Sequence, residues 1–307
     1  MASVIKSFTP DCEVIFLVRN YTAPLLALAQ DVDNVLIYDP EFSLAKTIAL
    51  LRASKPDAIF FFGSKFKLTL AAFLARIPLR VGRAYWWYSF LYNRRIREHR
   101  KIAEYNEAEY NVRMLRAIGI ESPVVPLPLL DHSKLLMQRP NESGYIVFHL
   151  TTGGSAGAWS EEKFTQLALL VKQEFDQPII LTGTTDEHEF LFRIAERMKL
   201  RSVNVHIHTT KTLLELAAVL ESANFVISGS TGPGHLAAAL GTSTIGIFPG
   251  VRSLSKERWG FRGKKVINLS PNIRPKAECP QCDSCDCLKE ITPEEVMASM
   301  QILNSKK

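Results

Sequence analysis

Short apolar runs rich in Val, Ile and Phe alternate along this chain with segments of helical period, and that rhythm restricts the fold more than any other feature. A strand covered on both faces reads as a nearly continuous apolar run, and such strands are joined in parallel by crossover helices. In the first half the pattern predicts strands over 13–18, 34–38, 57–62 and near 79–82, with helices over 23–29, 42–54, 66–76 and a long one over 104–118. In the second half it predicts strands over 145–150, 178–183, 203–208, 224–228 and 243–248, with 266–269 as an edge strand. Helices there open at Ser160, span 188–199, start from the Thr212-Leu213-Leu214-Glu215 capping box, span 235–240, and start again at Thr292-Pro293-Glu294-Glu295.

The chain turns Pro-rich over 123–128 and stays polar and irregular up to Gly144. Its 307 residues also exceed the size at which one hydrophobic core stops growing. The expected architecture is α/β, two Rossmann-like βαβ domains with a cleft between them. Their bounds are 1–128, a linker over 129–144, 145–291, and a closing helix over 292–307. The opening is unusual, because 2–8 reads as a helix with no strand before it. The first strand of a doubly wound domain is usually central. The first domain is therefore expected to lack a central strand and to be the less stable of the two.

Composition excludes several classes. Hydrophobic content of 47% with 22% charge excludes a disordered chain. No apolar run reaches about 18 residues and no leader-like segment opens the chain, so neither a membrane span nor a signal peptide is expected. Four of the five cysteines fall at Cys279, Cys282, Cys285 and Cys287, which suits a reducing cytoplasm better than a disulfide framework. Four ligands packed so tightly cannot easily surround one ion, so no metal is expected.

The charge is uneven. Residues 1–125 hold 17 Lys and Arg against 12 Asp and Glu, and the remainder holds 20 against 19. Arg76, Arg80, Arg83, Arg94, Arg95, Arg97, Arg100 and Lys101 face only Glu98 across 76–101. Such a patch fits an anionic partner, or else a solvated helical face. The neighbouring Trp86-Trp87-Tyr88 run fits an interfacial belt, the wall of a binding site or a buried contact.

Two loops carry the chemistry. The first, His149-Leu150-Thr151-Thr152-Gly153-Gly154-Ser155, follows a strand and precedes a helix. Its glycines admit close backbone approach, and Thr151, Thr152 and Ser155 offer hydroxyls, a combination that binds phosphate. The second, Ser228-Gly229-Ser230-Thr231-Gly232-Pro233-Gly234-His235, presents Ser230, Thr231 and the Gly232 amide ahead of an alanine-rich helix. His235 reads either as a donor to a phosphate oxygen or as a packing histidine. Both loops lie at carboxyl ends of strands, where open α/β sheets hold ligands.

The second loop with its continuation Leu236-Ala237-Ala238-Ala239-Leu240-Gly241 and the later Phe248-Pro249-Gly250 resembles the bacterial lipopolysaccharide heptosyltransferase family, glycosyltransferase family 9. So does Thr151 to Ser155 with Trp159-Ser160-Glu161-Glu162-Lys163-Phe164. Supporting matches are Val18-Arg19 with Ala23-Pro24-Leu25-Leu26, Arg80-Val81-Gly82, Asn106-Glu107-Ala108-Glu109-Tyr110-Asn111 and Glu257-Arg258-Trp259-Gly260. The resemblance implies a GT-B enzyme that transfers a sugar, typically heptose from ADP-heptose, to the lipopolysaccharide inner core. It implies inversion at the anomeric carbon, with no metal and no cofactor.

It further implies that Thr151, Thr152, Ser155, Ser230, Thr231, Gly232, Pro233 and His235 hold the donor, and the basic stretch gives Arg83, Arg94, Arg95, Arg97 and Arg100 as the acceptor side. Expected partners are a nucleotide-diphosphate sugar, the anionic core acceptor and the inner-membrane surface, with no nucleic acid. The expected location is the cytoplasmic side, peripheral at the inner membrane. Three departures stand out: Ser230 replaces a frequent aspartate, Gly157 replaces a lysine found in some members, and the family's first strand with its Gly-Asp loop has no counterpart. That loop's aspartate is taken as the general base, and Asp39 and Asp57 read here as turn residues. Rival readings are another GT-B enzyme using a UDP-sugar, and a non-catalytic nucleotide-sugar-binding remnant.

Overall fold

A computed structural model describes the chain except for Ser64, Leu129, Lys134, 136–143, 154–156, 273–285 and 306–307. It divides into two compact units, Met1–Leu26 with Asp31–Pro126, and Ala27–Gln30 with Leu127–Lys307.

The second unit is one parallel sheet with helical cover. Its elements are β6 (Ile146–His149), α6 (Glu161–Glu174), β7 (Ile179–Gly183), α7 (His188–Lys199), β8 (Val205–Thr209), α8 (Leu213–Glu221), β9 (Phe225–Gly229), α9 (Gly232–Leu240), β10 (Ser243–Ile247), α10 (Lys256–Trp259), β11 (Val266–Leu269) and α11 (Pro293–Asn304). Strand order is β11-β10-β9-β6-β7-β8. Every pairing is parallel. Strands β6, β7, β9 and β10 are buried along their whole length, which is why they read as unbroken apolar runs. The helix starts follow their capping chemistry: Thr212 and Glu215 form a capping box, as do Thr292 and Glu295, and the Ser160 side chain accepts from the Lys163 amide. A further box at Thr184 and Glu187, which the sequence reading missed, opens the turn before α7.

The first unit holds α1 (Ala2–Phe8), β1 (Ile15–Val18), α2 (Ala23–Leu26), β2 (Asn34–Ile37), α3 (Leu44–Ala53), β3 (Ala58–Phe60), α4 (Phe66–Leu74), β4 (Leu79–Arg83), β5 (Arg94–Ile96) and α5 (Glu107–Arg113). Its strands form two separate parallel sheets, β1-β2 and β3-β4-β5. Leu17 of β1 and Ile59 of β3 nevertheless pack on one apolar cluster with Leu51 of α3 and Ala71 and Ala72 of α4. Two readings of the sequence need correction here. The long helix over 104–118 is α5 followed by a tighter 3₁₀ stretch over Met114–Ile118, closed by Gly119 at φ 79°. The solvated helical face is also absent from Arg94–Ile96, which is instead an edge strand paired in parallel with β4.

Candidate functional site

In the second unit the connections reverse direction between β6 and β9, the position at which doubly wound sheets leave a ligand crevice. His149 and Ser228 face one another in register at the carboxyl ends of these strands. The two glycine-rich loops therefore leave the sheet side by side. A Cβ built on Gly229 would lie 3.2 Å from the Thr152 methyl, so the loops pack in direct contact. Ser155 lies outside the described residues, as do Cys279, Cys282 and Cys285.

Helix α9 begins at Gly232, three residues earlier than the sequence pattern suggested, with Thr231 as N-cap and Pro233 in its first turn. The Thr231 side chain does not cap the helix. Its hydroxyl is buried and lies 2.8 Å from the Ser228 hydroxyl, which also donates to the Gly229 carbonyl at 3.0 Å. This pair shapes the turn and aims the amino end of α9, with its partial positive charge, outward from the sheet edge. Gly232 faces open space, whereas a Cβ on Gly234 would meet the Phe261 ring at 2.0 Å. Buried Ala237 and Ala238 hold α9 close to the sheet.

His235 stacks edge-on against Phe261, ring centroids 4.8 Å apart. One side of the residue is exposed, and the protein packed around the other side lowers its pKa to about 4. At neutral pH it is an uncharged imidazole carrying one N–H donor.

The Thr151 hydroxyl donates to Glu187, which also accepts the Thr184 amide at 2.8 Å and the Thr184 hydroxyl at 3.1 Å. Burial opposes ionisation of Glu187, but these bonds outweigh it and lower its pKa. Glu187 thus ties the first loop to the end of β7, a role invisible in the sequence because its partner Thr151 lies far from it in the chain. Beneath it His149 is buried, its Nδ1 3.1 Å from the Thr182 hydroxyl. Desolvation lowers its pKa to about 4, against an opposing pull from Glu187.

A pH dependence of stability follows from His149. Unfolded, it takes up a proton below about pH 6.5; folded, it resists until about 4. Its contribution is complete above pH 6.5 and is lost as pH falls to about 4, a change of about 3 kcal/mol. Urea midpoints across this range should fall for the wild type and fall less for His149→Asn. Parallel curves would assign the acid sensitivity elsewhere.

The basic residues of the first unit divide in two. Arg94, Arg95 and Arg97 are exposed and Arg83 is half-buried. Arg100 is only 4% exposed, is ion-paired with Glu107, and donates to Asn111 Oδ1 at 2.9 Å. It is a packing residue and drops out of the acceptor set. Asn106 caps α5 through the Ala108 amide, so the 106–111 segment serves to hold Arg100. Asp39 caps its own turn by accepting the Glu41 amide, and Asp57 is an exposed residue at the amino end of β3. The Trp159–Lys163 segment is likewise structural: Trp159 Nε1 donates to the Ile291 carbonyl at 3.0 Å and Lys163 Nζ reaches the same oxygen at 2.7 Å.

The model of glycosyltransferase family 9, described as heptosyltransferase, matches residues 45–288. A Haemophilus influenzae protein provisionally named a glycosyltransferase is 28% identical over 296 residues, covering 91% of this chain and 83% of its own. The Escherichia coli ADP-heptose lipopolysaccharide heptosyltransferase II superposes with a TM-score of 0.77 at 18% identity, over 99% of this chain and 93% of that one. An Escherichia coli heptosyltransferase WaaC structure with ADP gives 0.72 at 19% identity, over 98% and 93%. The parallel sheets, their switch-point loops and these likenesses agree on a GT-B fold, and the chain belongs to glycosyltransferase family 9 and is a glycosyltransferase.

Proposed function

We propose that the protein transfers heptose from ADP-heptose to the inner core of lipopolysaccharide, at the cytoplasmic face of the inner membrane, with inversion and without a metal. The observation that carries this reading is the contact of the 151–153 and 229–232 loops at the switch point, beside the amino end of α9. A diphosphate seated there meets backbone amides and the positive end of a helix, and needs no cation to offset its charge. Solved relatives carry ADP and an ADP-heptose analogue, which supports an adenosine donor.

In the reaction the acceptor hydroxyl oxygen attacks the anomeric carbon from the face opposite the diphosphate. The new C–O bond forms as the bond to the phosphoryl oxygen breaks, and ADP leaves with that electron pair. The hydroxyl proton passes to a general base. What α9 contributes is stabilisation of the charge that grows on the departing diphosphate. Neutral His235 donates one hydrogen bond there, and Ser230, Thr152 and Gly232 complete the cradle. Exposed Arg94, Arg95 and Arg97, with Arg83, favour an anionic acceptor. Among the described residues no helix is long and apolar enough to cross a membrane.

Calorimetry with ADP tests the donor site. His235→Ala removes a hydrogen bond to the diphosphate and Thr231→Val unties the turn from Ser228, so each should weaken binding about tenfold or more. Wild-type affinity in both variants would remove this loop from the donor site. Transfer assays with ADP-heptose against UDP-sugars then decide the nucleotide.

A further inference from the structure

The crossover 84–93 between β4 and β5 has a division of labour that the donor site does not use. Tyr88, Leu91 and Tyr92 are buried, at 4%, 4% and 2% exposure. Between and beside them Tyr85, Trp86, Trp87 and Phe90 stand out at 51%, 41%, 72% and 65%. Three of the exposed rings, Phe66, Trp86 and Trp87, gather on the Tyr88 ring rather than standing as scattered singles. Phe66 of α4 lies 4.8 Å from Trp87, and Trp86 stacks on Tyr88 at 6.2 Å and 11°. A chain does not usually leave several large aromatics in water without a partner for them.

The loop is held rigidly from below. Arg80 Nε donates to the Leu91 carbonyl at 2.9 Å, its amide donates to Asn93 Oδ1 at 2.8 Å, and the Tyr92 hydroxyl bonds Thr69 at 3.1 Å. Gly82 leaves no room for a side chain, since a Cβ there would strike the Tyr92 ring at 2.4 Å. Arg80-Val81-Gly82 is therefore the clamp that presents these rings. Directly beyond them in the chain come exposed Arg94 and Arg95 on the edge strand and exposed Arg97 just after it, while exposed Lys65 precedes α4. The only carboxylate across 76–101, Glu98, is engaged by Arg113 at 2.5 Å.

We propose that this aromatic ledge, rimmed by Arg94, Arg95, Arg97 and Lys65, is a docking face for an anionic lipid bilayer, with Trp87 and Phe90 seated among the headgroups. It rests on the reading of the acceptor as a membrane-held anionic lipid. Aromatic rings with one wet edge favour the headgroup level, and cations beside them pair with acidic lipids. A protein partner would be served as well by aliphatic contacts and would need carboxylates to meet four cations. The bilayer supplies both the apolar layer and the negative surface.

The test uses the full chain and vesicles of phosphatidylcholine, alone or with about one-third phosphatidylglycerol. The wild type is expected to float with the mixed vesicles and not with the neutral ones, and the binding to fall steeply with salt. Acyl-brominated lipid should quench its tryptophan emission mainly through exposed Trp86 and Trp87, because Trp159 is only 4% exposed and Trp259 is half-buried in the second unit. Trp87→Ala with Phe90→Ala, and separately Arg94→Gln with Arg95→Gln and Arg97→Gln, should each weaken vesicle binding at least tenfold. Binding to the mixed vesicles without bromine quenching would overturn the seating of the rings. Concentration-dependent dimerisation lost in the Trp87→Ala, Phe90→Ala variant, with no flotation of the wild type, would assign the ledge to a second copy instead. ADP calorimetry on the same aromatic variant separates the readings: it should bind ADP like the wild type, whereas failure of the donor site would appear as absent ADP binding with flotation intact.

Discussion

Gly234→Ala is expected to lower the stability of the second unit by about 1–3 kcal/mol, while Gly232→Ala, two residues away in the same helical turn, leaves it unchanged or slightly raised. The added methyl at 234 would sit 2.0 Å from the tip of the Phe261 ring, and Phe261 is itself locked against Phe248 and Ala238. Overpacking of a closed core costs about that much, because neither the helix nor the ring can move without disturbing β10. At 232 a methyl meets nothing, and alanine is the better helix former. Binding should show the reverse order of causes. Gly232→Ala places its methyl in the open space beside the amino end of α9, so ADP affinity should drop about tenfold in a protein that melts normally. Thermal melts and calorimetry on both variants read the two effects separately. Unchanged ADP affinity in Gly232→Ala would mean that the phosphates bind elsewhere, and an unchanged melt in Gly234→Ala would mean that the Phe261 ring yields.

Hydrogen exchange should divide the chain as sharply. Amides in β6, β9 and β10 sit in strands paired on both sides and buried throughout. Among the described strands β1 pairs only with β2, and β3 only with β4, and both are partly accessible along their length. Each thus presents one unpaired edge, although both pack on the same cluster under α3 and α4. Unpaired edges are held by fewer cooperative bonds and open at lower free energy. The slowest amides of β1 and β3 are expected to exchange at least about 100-fold faster than those of β6 and β9, a difference of about 3 kcal/mol. Equal protection in the two units would show that shared helical cover alone stabilises the split sheet.

Much of this molecule was legible locally. Parallel strands with both faces covered must be apolar throughout, so 225–229 and 243–247 announce themselves without reference to the rest of the chain. Helix starts at Ser160, Thr212 and Thr292 are equally local, since a cap and its bond partner lie three residues apart. Strand Arg94–Ile96 was not legible: two arginines on an exposed edge carry no apolar period, and only the pairing with Val81–Arg83 makes them a strand.

The sequence by itself determined the alternating α/β order, the glycine-rich loops at strand ends and the basic excess of the first half, because period, turn chemistry and charge are properties of neighbours in the chain. Tertiary structure decided the rest. It set β6 beside β9, so that two loops almost eighty residues apart touch through Thr152 and Gly229. It turned Arg100 inward to Glu107 while leaving Arg94, Arg95 and Arg97 in solvent. It also pressed Gly234 against Phe261, and raised Trp87 on a clamp made by Arg80. Each of these depends on a partner distant in sequence, and no local pattern records which partner a side chain will meet when the sheet closes its order.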